Sequence, residues 1–359
     1  MIPRVLIVGA GLTGAATAVL LQRELQQAVS VVIWDKARGS GGRMSTSRSA
    51  SNPNSTVDLG AQYISCTPAY ASSHAQFYSE LISNHILTPC QVVIEGMRDS
   101  DGDTKHYVTP KGTSSIVKYY LQQSGANIHH NCHLQTIDVK CDDGVETILA
   151  EHQGSDQKHS FDVVVLSQPV PQILQLGGGI QDILAKNSNV LKKLEEVEYS
   201  SRYALGLYFS PGTKFDVPWE GKYTYDDPCV RWICIDSKKR GNESDADGPT
   251  LTVHTSVPFG LKHLEDNKQD VQKIILQHLS TLLPGLPEPV EVKCQRWRYS
   301  QVYKGVEGGP GCMKLAESKT SLLLAAGDAF VHSNFDGCIE SAKKTSHTII
   351  DFLKSNCKL

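Results

Sequence analysis

The chain has 359 residues, 40% of them hydrophobic and 20% charged, the composition of a globular protein long enough for one large or two medium domains. Its 35 basic and 38 acidic residues nearly cancel, which removes the electrostatic case for nucleic acid or for an anionic membrane surface. Ten dispersed cysteines without CxxC spacing and 13 histidines without an HExxH pair argue against a disulfide scaffold and a metal site. Reduced thiols in a cytosolic protein are the expected state.

The uncharged stretch from Val5 to Leu21 admits two readings. With Arg4 before it and Ala16-Thr17-Ala18 near its end, it has the form of a secretory signal. As structure, Arg4 to Val8 is a short β-rich run, Gly9-Ala10-Gly11-Leu12-Thr13-Gly14 a glycine turn, and Ala15 to Leu25 a helix. Val29 to Trp34 then reads as a second buried strand closed by Asp35. That order is a βαβ unit with the dinucleotide fingerprint in register. Gly9 permits the tight turn, Gly11 lets the backbone approach a pyrophosphate, and Gly14 lets helix and strand pack. The helix start, with Thr13, offers N–H groups to phosphate. Asp35, flanked by Lys36 and 21 residues beyond Gly14, is placed to accept both ribose hydroxyls. The structural reading is preferred, so the N-terminus is expected to be retained.

Ser40-Gly41-Gly42-Arg43-Met44 and Asp58-Leu59-Gly60-Ala61-Gln62-Tyr63 follow. Gly42 and Arg43 sit where FAD enzymes of the amine-oxidase and glutathione-reductase-like superfamily carry a second signature. FAD is therefore preferred over NAD as the bound cofactor. Near the other end, Ser321 to Ala326 reads as a strand ending in Gly327-Asp328. Asn334-Phe335-Asp336-Gly337-Cys338-Ile339 then opens a final helix. This order resembles the way that superfamily closes its FAD site, which implies a ribityl hydroxyl on the aspartate and the flavin's pyrimidine end at the helix start. Cofactor contacts are thus expected from Gly9, Gly11, Thr13, Gly14, Asp35, Lys36, Gly42, Arg43, Gly60, Ala61, Gln62, Tyr63, Gly327, Asp328, Asn334, Gly337, Cys338 and Ile339.

Between these signatures, Ser114 to Gln123 is expected to be helical. Ile128 to Val139 and Phe161 to Pro169 are expected to be strands. The fold class is α/β: a two-domain FAD-binding fold of Rossmann type, glutathione-reductase-like and p-hydroxybenzoate-hydroxylase-like, with a mixed-sheet substrate domain. Residues 1–76, 112–170 and 314–359 are assigned to a discontinuous FAD domain, and 77–111 and 171–313 to the substrate domain. In the latter, Tyr203 to Phe209, Cys229 to Ile235 and Thr250 to Val257 read as strands and Val271 to Leu283 as a helix. Ser237 to Gly248 reads as a polar loop.

The segments VLIVGAGLTG, WDK with SGGRM, DLGAQYISCTP, YSSRYALGL, TVHTSVPFG, CQRWRYSQV and SNFDGCIESA together resemble the renalase family nearly end to end. The resemblance implies an oxidase with non-covalent FAD that acts on 2- and 6-dihydro isomers of NAD(P)H. It implies transfer of hydride to flavin and then of electrons to O2, giving β-NAD(P)+ and H2O2. The same family is described as a catecholamine or amine oxidase and as a secreted signalling protein, in which FAD would be structural. By sequence a cytoplasmic location is expected, or secretion with the N-terminus kept. The expected partners are the dihydro-NAD(P) isomers and O2, with no nucleic acid and no membrane.

Hydride transfer from a dihydropyridine needs a stacked ring and orienting amides more than acid–base groups. Gln62 and Tyr63 are placed beside the flavin segment, and Trp297 lies on the chain's return to the cofactor domain. Tyr63 and Trp297 also suit plain packing. His254, in a strand, suits the site or the core. Arg231, Arg202 and Arg298 are candidates for the substrate phosphates. Lys238-Lys239-Arg240 suits either that role or a solvated loop. No lysine is matched to the flavin-facing lysine of amine oxidases. Cys338 reads as a small packing residue rather than a covalent tether.

Overall fold

The computed structural model describes residues 2–98, 102–155, 157–241, 244 and 246–356. The chain forms two compact units, the first of Met1–Gly42, Val117–Glu198 and Val302–Leu359, the second of Arg43–Ile116 and Tyr199–Gln301. The divisions differ from the expected domain limits for identifiable reasons. Val57 and Leu59 pack with Ala204 and Tyr208, which draws the segment after Gly42 into the second unit. Helix Ile180–Lys186 packs on strands Leu134–Asp142 and Cys312–Glu317, which keeps it in the first.

The first unit is built on a six-stranded sheet in the order Cys312–Glu317, Leu322–Ala326, Val163–Leu166, Arg4–Val8, Ser30–Trp34, Asn127–His129. All neighbours pair in parallel except the Cys312–Glu317 edge. The central strands are continuous apolar runs because both faces are covered, and Val5, Leu6, Ile7, Val163 to Leu166 and Leu322 to Ala325 are fully buried. Helices Leu12–Leu25 and Phe335–Ser355 pack on each other, the first through small residues such as Ala15, Ala16 and Ala18.

Ile128 to Val139 is two strands rather than one. Asn127–His129 ends the large sheet, and Leu134–Asp142 joins Val145–His152 and His159–Phe161 in a three-stranded antiparallel sheet. Asn131, at φ 55°, turns the chain between them. Phe161 to Pro169 also divides, at Asp162, whose carboxylate accepts the Arg4 N–H at 2.8 Å.

The second unit holds a six-stranded sheet ordered Glu291–Trp297, Arg202–Tyr208, Thr250–Thr255, Val230–Ile235, Gly221–Tyr223, Ile94–Glu95. It is antiparallel apart from its last pair, so it is mixed, as expected. Its two faces have different chemistry. Leu205, Leu207, Ile233, Ile235, Leu251 and Val253 lie in a core with Val271, Ile275 and Leu279 of helix Lys268–Leu282. The alternate residues, Thr250, Thr252 and His254 among them, belong to the opposite face by the two-residue period of a strand. The expected polar loop at 237–248 begins instead as a short helix, Asp236–Lys239, while Asn242, Glu243 and Asp245 lie outside the described residues. Among the described residues no helix is long and apolar enough to cross a membrane.

Candidate active site

In the first unit the glycine turn follows the strand Arg4–Val8 and runs into helix Leu12–Leu25. Gly9 has φ +113°, and Gly11 is the N-cap, extended and with no side chain capping the first turn. A Cβ at Gly14 would collide with the Gly9 carbonyl, whereas one at Gly11 would meet nothing within 4 Å. Gly14 therefore serves packing, and Gly11 leaves an open approach to the uncapped N–H groups, the fit a pyrophosphate requires. Asp35 is held in place from both sides. Its Oδ2 accepts the Ala10 N–H at 2.7 Å and its Oδ1 the Ala37 N–H at 2.7 Å. Lys36 is exposed, and Thr13 is buried in the first helical turn.

The second glycine pair folds onto the first turn. Gly41 N–H donates to the Ala10 carbonyl at 2.9 Å, and a Cβ on Gly42 would sit 3.4 Å from the Gly11 Cα. Towards the other end, Gly327 (φ +127°) donates its N–H to Ser341 Oγ at 2.8 Å, and Asp328 is buried with Ser333 Oγ on its Oδ2 at 2.6 Å. Asn334 caps the final helix through the Gly337 N–H at 2.7 Å. Gly337 lies against the His332 carbonyl, Ile339 is fully buried by the protein itself, and Cys338 is partly exposed and in no disulfide.

The second unit carries the other expected residues. Gly60 lies against the Arg43 carbonyl, which also accepts the Ala61 N–H at 3.0 Å. Gln62 is fixed through all of its amide atoms. Its Oε1 accepts from Trp232 Nε1 at 3.2 Å and Lys239 Nζ at 3.1 Å, while Nε2 donates to the Asp58 carbonyl at 2.7 Å and the Gly60 carbonyl at 3.0 Å. The Tyr63 and Tyr223 hydroxyls are hydrogen-bonded at 2.7 Å, and the Tyr223 ring lies 4.7 Å from that of Trp232. Trp297, at the end of an edge strand, donates to the Leu59 carbonyl at 2.8 Å. His254 Nε2 is 3.5 Å from Gln62 Nε2.

The electrostatics of this face are those of neutral groups. Burial, followed by the Arg202 and Lys239 cations, pushes His254 down to about 3, so its imidazole is neutral at physiological pH. Burial raises Tyr63, and burial with the neighbouring Tyr63 raises Tyr223 far above the ordinary phenol range.

Beneath Gln62 lies a buried ion cluster that contradicts the solvated reading of Lys238-Lys239-Arg240. Lys239 Nζ is 2.8 Å from Asp236 Oδ1, and Arg240 is 2.8 Å from Asp236 Oδ2, all three side chains being at most 2% exposed. Arg240 also donates to the Thr56 hydroxyl at 2.9 Å. Asp58 joins through its N–H to Asp236 Oδ2 at 3.1 Å, and its Oδ1 accepts from Thr46 at 2.6 Å and from the Thr113 N–H at 3.0 Å. Burial and Asp236 raise the Asp58 carboxyl. Burial opposes ionisation of Asp236 too, but Arg240 and Lys239 outweigh it and hold that carboxyl low. The basic run is buried because two acids neutralise it, one of them distant in sequence. Lys239 thus reaches the candidate site through Gln62, a placement different from both the solvated loop and the phosphate role that the sequence offered for it.

Arg298 leaves the set of phosphate candidates, since it forms a bidentate pair with Glu265 at 2.7 and 2.8 Å. Arg202 donates to neutral partners, Ser200, Ser300 and Gln301. Nine cysteines are free thiols, and Cys357 lies outside the described residues. Asp227, Cys229 and His278 bring potential ligand atoms within 4.8 Å of one another. Asp227 is already engaged, with Oδ1 on the Cys229 and Val230 N–H groups and Oδ2 on His278, so the cluster ties helix to strand.

Sequence alternation carried a signal for the missed residues Trp232 and Tyr223. In Thr250-Leu-Thr-Val-His254 the apolar positions are core and the polar ones form the opposite face, which Trp232 shares by pairing with His254.

Residues 7–81 match the model of an NAD(P)-binding Rossmann-like domain. Over 342 residues, covering 94% of this chain and 96% of the relative, the sequence is 45% identical to Renalase of Mus musculus. Two solved structures share the fold. One, a proposed protoporphyrinogen oxidase from Exiguobacterium sp. 255-15, has a TM-score of 0.70 at 14% identity, covering 97% of this chain and 98% of that one. The other, wild-type putrescine oxidase bound to putrescine, has a TM-score of 0.64 at 13% identity, covering 97% and 99%.

Proposed function

The chain belongs to the renalase family and is an FAD-dependent oxidase, and on that premise we propose that its substrates are dihydronicotinamide dinucleotides carrying the hydride at ring position 2 or 6. Overall, such an isomer with O2 and one proton gives β-NAD(P)+ and H2O2. The bound FAD supplies the two-electron oxidant that O2 restores. Gly9, Gly11, Gly14 and Asp35 would hold its pyrophosphate and ribose, and Gly42 and Asp328 would complete that unit's share of its seat.

The observation that carries the reading is the lining of the second unit's polar face. Tyr63, Tyr223 and Trp297, with the buried Trp232 packed against Tyr223, offer flat rings to a flat heterocycle, and Gln62 is locked in one orientation. His254 stays neutral at physiological pH, so it can hydrogen-bond a carboxamide without adding a charge that would oppose a cationic pyridinium product. Lys239 is committed to Asp236 and Gln62, which leaves it poorly placed to deprotonate an amine. The face orients a substrate and needs no base, as hydride transfer requires.

Anaerobic mixing with 6-dihydro-NAD is expected to bleach the flavin absorbance within seconds. A flavin left oxidised by both dihydro isomers, but bleached by a catecholamine, would replace this reading with amine oxidation.

A further inference from the structure

Among the described residues Arg98, Arg231 and Arg202 form no ion pair with a carboxylate, and they gather at the outer end of the aromatic lining. Trp232 is 3% exposed, and its ring lies 4.7 Å from Tyr223. The Tyr223 ring in turn stacks near-parallel to Tyr225, at 6.1 Å and 18°. Tyr225 is 42% exposed, so the three rings run from the buried face to the surface. Over the Tyr225 ring lie two guanidinium groups, Arg231 at 5.2 Å and Arg98 at 5.5 Å from its centroid. Tyr225 is anchored by its hydroxyl, which donates to the Gly96 carbonyl at 3.1 Å.

Arg202 lies near Arg231. It is held by Ser200 and Ser300 at 3.2 Å and by Gln301 at 2.9 Å, and burial followed by repulsion from Arg231 depresses its guanidinium. Among the described residues none of the three arginines is in an ion pair, in contrast to Arg298 and Arg240. Among the described residues, the acids that follow Tyr225 form no ion pair with them. Asp226 is exposed, and Asp227 is committed to His278 and two backbone N–H groups.

A guanidinium that stacks on a ring uses its face and keeps its N–H edge for an anion. Two such edges with a third, half-buried cation make a seat for a ligand with more than one negative charge, and phosphate oxygens match that fork. We infer that Arg98, Arg231 and Arg202, arranged around Tyr225, bind the diphosphate of the dinucleotide substrate, with Tyr225 as a stacking surface at the exposed end. The inference rests on the dihydronicotinamide reading and extends it. The reacting ring takes the buried end of the aromatic row, and the charged half of the substrate takes the outer end. A dinucleotide is then preferred over its phosphate-free nucleoside.

Two measurements test this separately from the reading it rests on. The first is calorimetric titration of the flavin-loaded protein with ADP, which carries a diphosphate and no reducible ring. Wild type is expected to bind ADP, and Arg98→Gln and Arg231→Gln are each expected to weaken it about ten-fold or more. The second compares half-saturating concentrations in anaerobic flavin reduction. The 6-dihydro dinucleotide is expected to show the same loss, while the 6-dihydro nucleoside retains its wild-type value in Arg98→Gln, a substitution at an exposed site. Absence of ADP binding, or equal ADP affinity in wild type and both variants, overturns the inference even if the flavin is reduced by dinucleotides. ADP binding that depends on both arginines, with no flavin reduction by either dihydro isomer, upholds the anion seat and overturns only the proposed substrate.

Discussion

The Lys239 ammonium, 2.8 Å from Asp236, also donates to Gln62 Oε1 at 3.1 Å, so a buried ion pair sets the orientation of an amide on the candidate substrate face. With Oε1 turned to Lys239 and Trp232, the Gln62 amide directs Nε2 to the carbonyls of Asp58 and Gly60. Charge balance in the interior thereby becomes geometry at the site.

Lys239→Met is expected to destabilise the protein by about 3–5 kcal/mol, because it leaves buried carboxylates with Arg240 as their remaining cation. Adding Asp58→Asn should recover part of that loss, as the two groups belong to one network. Urea unfolding of the two single variants and the double variant measures the coupling. Strictly additive costs would mean that the cluster does not act as a unit.

His254 gives a pH prediction. Its folded-state value of about 3 lies below that of an unfolded histidine, so the unfolded chain binds more protons between about pH 3 and 6.5. The contribution is complete above about pH 6.5 and is lost as pH falls, with a slope approaching about 1.4 kcal/mol per unit. His254→Gln should remove that slope from a stability-versus-pH curve. With Tyr63 and Tyr223 both raised, the limiting rate of flavin reduction should also be flat from about pH 6 to 9.

The glycine turn separates packing from ligand approach. Gly11→Ala meets nothing within 4 Å, so apoprotein stability should change by no more than about 0.5 kcal/mol while flavin content falls. Gly14→Ala, aimed at the Gly9 carbonyl, should lower both. Flavin absorbance per chain and thermal unfolding of the apoprotein distinguish the two variants.

Arg298→Ala should leave half-saturation by the substrate unchanged and stability within about 1 kcal/mol, since its partner Glu265 is an exposed carboxylate. A marked rise in half-saturating concentration would return Arg298 to the set of phosphate ligands.

The sequence by itself determined the dinucleotide turn, the acid after the second strand and the paired glycines. Their function depends on spacing along a few consecutive elements, so local order is enough to read them. The strand expected at Arg4–Val8 is paired on both sides within its sheet. Only the tertiary structure decided the rest. Lys239 and Arg240 look like a solvated run until Asp58, 178 residues from Asp236, is folded against them. Tyr223 and Trp232 carry no local motif, and strand pairing is what puts Trp232 opposite His254 while Tyr223 meets Tyr63. Burial of charge and the choice of sheet face depend on partners supplied by distant segments, and no window along the chain contains them.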